Sequence, residues 1–358
     1  MTKDGLLVIN PRDNVGVTLT ARGEIPAGHK IALRDIDEGE AVIKYGAVIG
    51  RATKPIHAGE WVHTHNLRTH LDEAQTYAYE PKPMEQAPAQ HGTFQGFLRP
   101  DGRVGIRNEI YIIPTVGCVN GICKRLERVS QKLIRGSLDG IYALTHPWGC
   151  SQLGQDAANL RELLCSIARN PNAAFVLFVG LGCENNRLCD IREELSDRDN
   201  VAYLTCQEVE DELTEGYRTL CDFADRAAEM SRETVELEQL CIGLKCGGSD
   251  GFSGLTANPL VGQMSDRLVA CGGRAVLTEV PEMFGAEQRL MNRCRDRETY
   301  ARYCKLIADF RDYYTAQGFP VYENPSPGNR AGGITTLEEK SLGCIEKAGH
   351  TALCDVLP

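Results

Sequence analysis

Two regimes of hydrophobic patterning divide the chain. Up to about residue 70, apolar and polar positions alternate in short runs at 6–9, 15–19, 30–33, 41–49 and 61–65. Pro26-Ala27-Gly28, Asp37-Glu38-Gly39 and His57-Ala58-Gly59 separate them. A period of two broken by turn-forming residues predicts short half-buried strands, and hence a small all-β domain over residues 1–70. Residues 71–100 hold neither period and carry Pro81, Pro83 and Pro88, which reads as an extended linker. From residue 101 the runs lengthen and lose their polar alternates. Near-continuous apolar stretches at 110–116, 141–145, 174–180, 201–205, 240–244 and 275–278 alternate with helical spacings such as Leu153, Ala157, Leu160, Leu164 and Ile167. That alternation predicts parallel sheets covered on both faces, an α/β architecture with one domain over 101–235 and a second, incomplete one over 236–358.

Parallel strands present their C-terminal ends on one edge, where open α/β sheets bind ligands. The residues following the predicted strands are rich in chemistry: Cys118, then His146 and Cys150, then Cys183 and Glu184, then Cys246 and Asp250, then Glu279 and Glu282. The densest of these turns is 246–259, CGGSDGFSGLTANP. Gly247, Gly248, Gly251 and Gly254 let a backbone approach another group closely, while Cys246, Ser249, Asp250 and Asn258 offer a thiol, a hydroxyl, a carboxyl and an amide. Such a turn suits a polar, anionic small molecule. In the all-β domain, His63 and His65 stand at alternate positions of one predicted strand, roughly 6 to 7 Å apart, from which two imidazoles converge on a metal ion. Thr336 and Glu339 fit a capping box that opens a helix and sets Lys340 in its first turns, as an anion clamp or proton carrier.

Composition narrows the class. With 39 basic and 49 acidic residues the net charge is −10, a poor match to nucleic acid. The N-terminus lacks the apolar core of a signal peptide, and no apolar run approaches a membrane span, so a cytoplasmic protein with no membrane partner is expected. Fifteen scattered cysteines with no C-x-x-C pair argue for free thiols in a reducing compartment and against a zinc ribbon. No strand leads into a clean G-x-G-x-x-G turn, which disfavours a nicotinamide oxidoreductase. The pattern leaves a homo-oligomer open.

Six runs, TVGCVNGIC (115–123), HPWGCSQLG (146–154), GLGCENN (180–186), CGGSDGFSGLTANP (246–259), LTEVPEMFGAE (277–287) and NPSPGNRAGGITTLEEKSLGC (324–344), together resemble the altronate and galactarate dehydratase family. Residues 26–50 resemble its N-terminal SAF or β-clip domain. HTHN at 63–66 and TEVPEMFGAE resemble the altronate type. The resemblance implies a hydro-lyase of hexuronate catabolism that converts D-altronate to 2-dehydro-3-deoxy-D-gluconate and water with Fe2+, or alternatively Mn2+. An iron-sulfur cluster on Cys118, Cys150, Cys183 and Cys246 is the lesser expectation. On this reading His63 and His65 bind the metal, with Cys118, Cys150, Cys183 and Cys246 as further ligands. His146 is the first candidate base, and Glu184, Asp250 or Lys340 the acid. Gly247, Gly248, Ser249, Asn258, Glu279 and Asn329 hold the sugar acid. Family members continue past the point where this chain stops, so it reads as a C-terminally truncated member. The alternatives are a galactarate-type or other hydroxy-acid lyase, or a sugar-acid-binding protein without turnover.

Overall fold

The apolar runs between residues 109 and 205 become one parallel sheet. Its strands Glu109–Pro114, Gly140–Ala143, Ala173–Gly180 and Val201–Thr205 lie in the spatial order second, first, third, fourth, and every neighbouring pair is parallel. All eight residues of Ala173–Gly180 are buried, as a strand covered on both faces requires. On one face Ile110 and Ile112 pack with Leu126, Leu220 and Phe223 from helices Asn120–Ser130 and Glu212–Ala228. On the other, Ile113, Val176 and Phe178 meet Leu160 and Leu164 of helix Gly154–Ala168. The period of two along each strand thus feeds two separate cores.

The computed structural model describes residues 2–3, 5–71, 76–82 and 89–357, so Pro83 and Pro88 of the predicted linker lie outside the described residues. The chain forms two compact units, Gly92–Gln239 and a second made of Met1–His91 with Leu240–Pro358. In the first, the end of the predicted linker is a strand: Thr93–Leu98 pairs antiparallel with Val104–Gly105 and with Glu233–Glu236. A strand of six residues whose burial is confined to Gly96 and Phe97 leaves too little period to read from sequence.

In the second unit the all-β segment forms a five-stranded and a three-stranded antiparallel sheet, and Cys241–Leu244 pairs parallel with Arg274–Leu277. One core joins the two parts. Val42, Ile49 and Val62 of the β segment share it with Phe284, Leu290, Ile307 and Leu342. The run predicted as a single strand at 41–49 is a hairpin, Ala41–Lys44 and Ala47–Ala52, turned by Tyr45 and Gly46 at φ 59° and 69°. Two successive positive φ angles match the twist of a tight hairpin. The strand predicted at 61–65 ends at Val62. Asn66 closes a turn there, its Oδ1 accepting the His63 N–H at 2.9 Å while the His63 carbonyl accepts from Asn66 and Leu67. His63 and His65 are therefore turn residues and not alternate positions of one strand.

Gly251 is required by this packing. A Cβ there would lie 2.0 Å from the Gly28 carbonyl oxygen, and the Gly251 N–H donates to the Gly332 carbonyl at 2.7 Å. Gly251→Ala is expected to cost about 1–3 kcal/mol in a urea or thermal unfolding experiment. Gly247→Ala, whose Cβ would meet open space, should leave the midpoint unchanged. Among the described residues no helix is long and apolar enough to cross a membrane. All fifteen cysteines are free thiols.

Candidate functional site

Helix Leu337–Cys344 is buried along its whole length, although it carries Glu338, Glu339 and Lys340. Buried charge is tolerated only when paired and hydrogen-bonded, and here each has partners. Glu338 accepts from Thr69 Oγ1 and the His70 N–H, both at 2.8 Å. Glu339 sits between Lys30 and Lys44 at 2.8 Å each, all three side chains within 1% of full burial. Lys30 also donates to the Gly333 carbonyl and Thr335 Oγ1. Burial would raise the Glu339 carboxyl, but the two ammoniums outweigh it and hold it down to about 2. Burial draws Lys30 down to about 8 against the pull of Glu339. Two lysines against one glutamate leave the group with one surplus positive charge at neutral pH. The predicted capping box is half formed: Thr336 Oγ1 accepts the Glu339 N–H, while the Glu339 carboxylate goes to the lysines and to the Thr335 N–H.

Lys44 also lines a small cleft together with Ser249, Asp250, Asn258, Lys340 and Cys344. Lys340 Nζ lies 2.7 Å from Glu282 and donates to Asn324 Oδ1 at 3.1 Å. The Cys344 thiol donates to Glu282 Oε2 at 3.0 Å, and Cys246 Sγ lies 2.9 Å from Ser249 Oγ. Burial alone would raise the Glu282 carboxyl, yet hydrogen bonds from Lys340, Cys344 and Cys246 hold it below its ordinary value. Burial pushes the Cys344 thiol up. The ligand atoms of Cys246, Glu282 and Cys344 lie within 4.8 Å of one another, the one such group of three among the described residues.

The structure brings together Cys246, Ser249, Asp250, Asn258 and Lys340 of the predicted site, all from the unit of residues 1–91 and 240–358. Asp250 Oδ1 is engaged locally, accepting from the Phe252 and Ser253 N–H groups and Ser253 Oγ at 2.9 Å. Asn258 donates to the Gly343 carbonyl and Asn329 to the Ser249 carbonyl, each at 2.9 Å. Glu279, in the left-handed region at φ 64°, accepts the Cys246 N–H and pairs with Lys245 at 3.2 Å. Gly247 and Gly248 face open space. His63 has both ring nitrogens occupied, Nε2 by the Arg330 carbonyl at 2.9 Å and Nδ1 by Thr64 Oγ1 at 3.1 Å; burial lowers its pKa. The His65 ring packs on Trp61 at 5.5 Å.

In the unit of residues 92–239, Cys118, Cys150 and Cys183 are exposed on turns after successive strands. His146 Nε2 donates to the Pro114 carbonyl at 2.7 Å, and its Nδ1 accepts the Trp148 N–H at 3.3 Å. Glu184 is buried and accepts from Thr115 Oγ1 at 2.6 Å and from the Leu181 and Gly182 N–H groups at 3.1 and 2.7 Å. Both side chains hold strand-end turns in shape. Lys30, Lys44, Glu339 and Cys344 were not singled out as site residues from sequence. The available signal was a lysine two residues from a buried apolar position on a short strand, Lys44 after Val42 and Lys30 before Ala32, which places an ammonium on the inward face.

Residues 12–70 match the altronate/galactarate dehydratase SAF domain, 96–228 the second domain of D-galactarate dehydratase/altronate hydrolase, and 237–358 the C-terminal domain of D-galactarate/altronate dehydratase. The chain is 48% identical over 350 residues to an altronate dehydratase of Bacillus subtilis (strain 168), which covers 96% of this chain and 70% of that one. The chain belongs to the altronate/galactarate dehydratase family. To an altronate dehydratase of Escherichia coli (strain K12) it is 48% identical over 346 residues, 95% of this chain and 70% of the relative. To the galactarate dehydratase (L-threo-forming) of the same organism it is 32% identical over 356 residues, 93% and 67% of the two chains. As a member of this family of hydro-lyases it carries the SAF domain on the same compact unit as the C-terminal family segment.

Proposed function

We propose that the protein dehydrates D-altronate to 2-dehydro-3-deoxy-D-gluconate, as a cytoplasmic enzyme whose free thiols suit a reducing compartment. The observation that carries the substrate is the 48% identity to altronate dehydratases against 32% to a galactarate dehydratase, each over more than nine-tenths of the chain. The cleft supports the same class of ligand. A surplus positive charge held on Lys30, Lys44 and Glu339 attracts the carboxylate of a sugar acid, and Ser249, Asp250 and Asn258 offer polar groups to its hydroxyls.

Loss of water requires removal of a weakly acidic C2 proton, stabilisation of the resulting enediolate, and protonation of the departing C3 hydroxyl. Lys340 is the proton donor in this scheme, since it lines the cleft and is positioned by Glu282 and Asn324. The donor set of Cys246, Glu282 and Cys344 fits the divalent ion that the family resemblance implies, and such an ion supplies Lewis acidity when bound. His146, Glu184 and Asp250 serve the turns around them by the contacts above. A role for His146 as base requires release of one of its two ring contacts.

The test is keto-acid formation by anaerobically purified protein from D-altronate and from galactarate, with and without added Fe2+ or Mn2+. Turnover of altronate with a kcat/KM at least tenfold above that for galactarate is the expected result. The reverse preference would overturn the substrate assignment. Binding of both acids without turnover would replace the enzyme by a sugar-acid-binding protein.

A further inference from the structure

We infer that His29 and His63 of the SAF segment are positioning residues for the sugar acid, setting the Ser249 edge of the cleft through a strap at residues 329–333. That role rests on the altronate reading, while the geometry of the strap stands without it. The short helix Pro327–Ala331 ends in the strap, and the carbonyls of its last turn have no further turn to bond. Four successive carbonyls there accept from donors elsewhere in the chain. Arg330 takes His63 Nε2 at 2.9 Å, Ala331 takes His29 Nε2 at 3.1 Å, Gly332 takes the Gly251 N–H at 2.7 Å, and Gly333 takes Lys30 Nζ at 2.7 Å. Three of these donors lie within residues 12–70, which match the SAF domain, and the fourth lies in the turn at 246–259. The strap therefore ties the SAF segment to the turn that lines the cleft.

Both imidazoles are fixed as donors. A carbonyl only accepts, so each ring carries a proton on Nε2. For His29 the tautomer is set from the other side, because the Trp61 indole N–H donates to Nδ1 at 3.2 Å. The rings of His29, Trp61 and His63 pack on one another with centroids 5.2 to 5.4 Å apart, which holds both Nε2 atoms in place. Burial lowers the pKa of both histidines, so they bring a hydrogen bond to the strap without a charge. At the cleft, Asn329 Nδ2 donates to the Ser249 carbonyl at 2.9 Å. A Cβ at Gly251 or Gly333 would lie 2.0 or 2.6 Å from the Gly28 carbonyl oxygen, so no slack remains between the residue before His29 and the cleft turn. Lys340 is held separately by Glu282 at 2.7 Å. The histidines therefore bear on binding of the acid and not on the proton donor.

Steady-state kinetics with altronate and amide hydrogen exchange on the same variants test this. His63→Phe keeps the ring packing but removes the donor, and is expected to raise KM about tenfold, the worth of one hydrogen bond, with kcat within about twofold of wild type. His63→Gln sets an amide N–H near the Nε2 position and should bring KM back to within about threefold. Exchange at Gly251, whose N–H is bonded to the strap, should quicken in His63→Phe and recover in His63→Gln. The KM effects of His63→Phe and Asn329→Ala should be less than additive, because both act through one strap. If His63→Phe does not fold, His63→Ala carries the comparison, since His63 is only partly buried. A fall in kcat with KM unchanged, no rescue by glutamine, or full additivity would overturn the positioning role. Faster exchange with unchanged KM would leave a structural clasp and overturn the link to substrate. No turnover by the wild type would sink the dehydratase reading alone, and the Kd for altronate, measured by calorimetry, then takes the place of KM with the same expectations. Absence of both turnover and binding would overturn both.

Discussion

Glu339→Gln is expected to lower the stability of the unit formed by residues 1–91 and 240–358 by 3–5 kcal/mol, or to prevent it from folding, measured by urea unfolding. Among the described residues the carboxylate is the only anion paired with Lys30 and Lys44, both fully buried, and each of its oxygens takes one ammonium at 2.8 Å. An amide of the same shape accepts from one lysine and turns its NH2 toward the other. The penalty comes from the two uncompensated charges and not from lost packing. Adding Lys30→Met and Lys44→Met to Glu339→Gln should therefore recover most of the stability, since a buried ion group replaced whole by apolar side chains of similar size is often neutral. The acid limb gives a second reading of the same group. Glu339 titrates at about 2 in the folded protein against an ordinary 4.5, so its contribution is complete above pH 4.5 and is lost as pH falls toward 2. That difference amounts to roughly 3 kcal/mol, and Glu339→Gln should remove it from the pH profile. A variant that unfolds within 1 kcal/mol of wild type at pH 7 would show that the lysines find other acceptors.

The parallel sheet was legible because burial on both faces writes itself into the sequence as unbroken apolar runs, and 201–205 matches its strand residue for residue. The β segment was legible in class and less so in register. Tyr45 and Gly46 look like strand residues until their positive φ angles turn the chain, and Asn66 ends a strand through a side-chain contact that no periodicity records. For the candidate site, the turn at 246–259 was visible because glycines and polar groups cluster within fourteen residues. Its partners Lys30, Lys44 and Cys344 were not, because they lie far from it in sequence, and Glu282 stood out only as one strand-end carboxylate among several. Charged residues on short strands read as solvent-facing unless one counts which face the neighbouring Val42 or Ala32 has taken. The same limit applies to the gathered strand ends. Sequence places Cys118, Cys150, Cys183 and Cys246 alike after strands, but the first three belong to one compact unit and Cys246 to the other.

Lys340→Ala is expected to reduce kcat for altronate dehydration by about 10²–10⁴-fold, the usual range for removing a positioned proton donor. A structural role has to be separated from a chemical one, because Lys340 is buried and neutralises Glu282 at 2.7 Å. Lys340→Arg makes that separation. Guanidinium keeps the positive charge and the pairing with the carboxylate but does not release a proton at working pH. If Lys340 delivers the proton, the arginine variant should unfold at close to the wild-type urea midpoint and hold KM within a few-fold, while kcat falls nearly as far as in the alanine variant. If the charge alone matters, arginine restores kcat and the assignment of Lys340 as donor is wrong. The alanine variant adds one more distinction. Without the ammonium, Glu282 keeps only thiol partners among the described residues, so its carboxyl should rise from its lowered value, and the stability it contributes above its ordinary 4.5 should fall relative to wild type. Loss of kcat beyond what that stability change explains is the signature of the proton transfer itself.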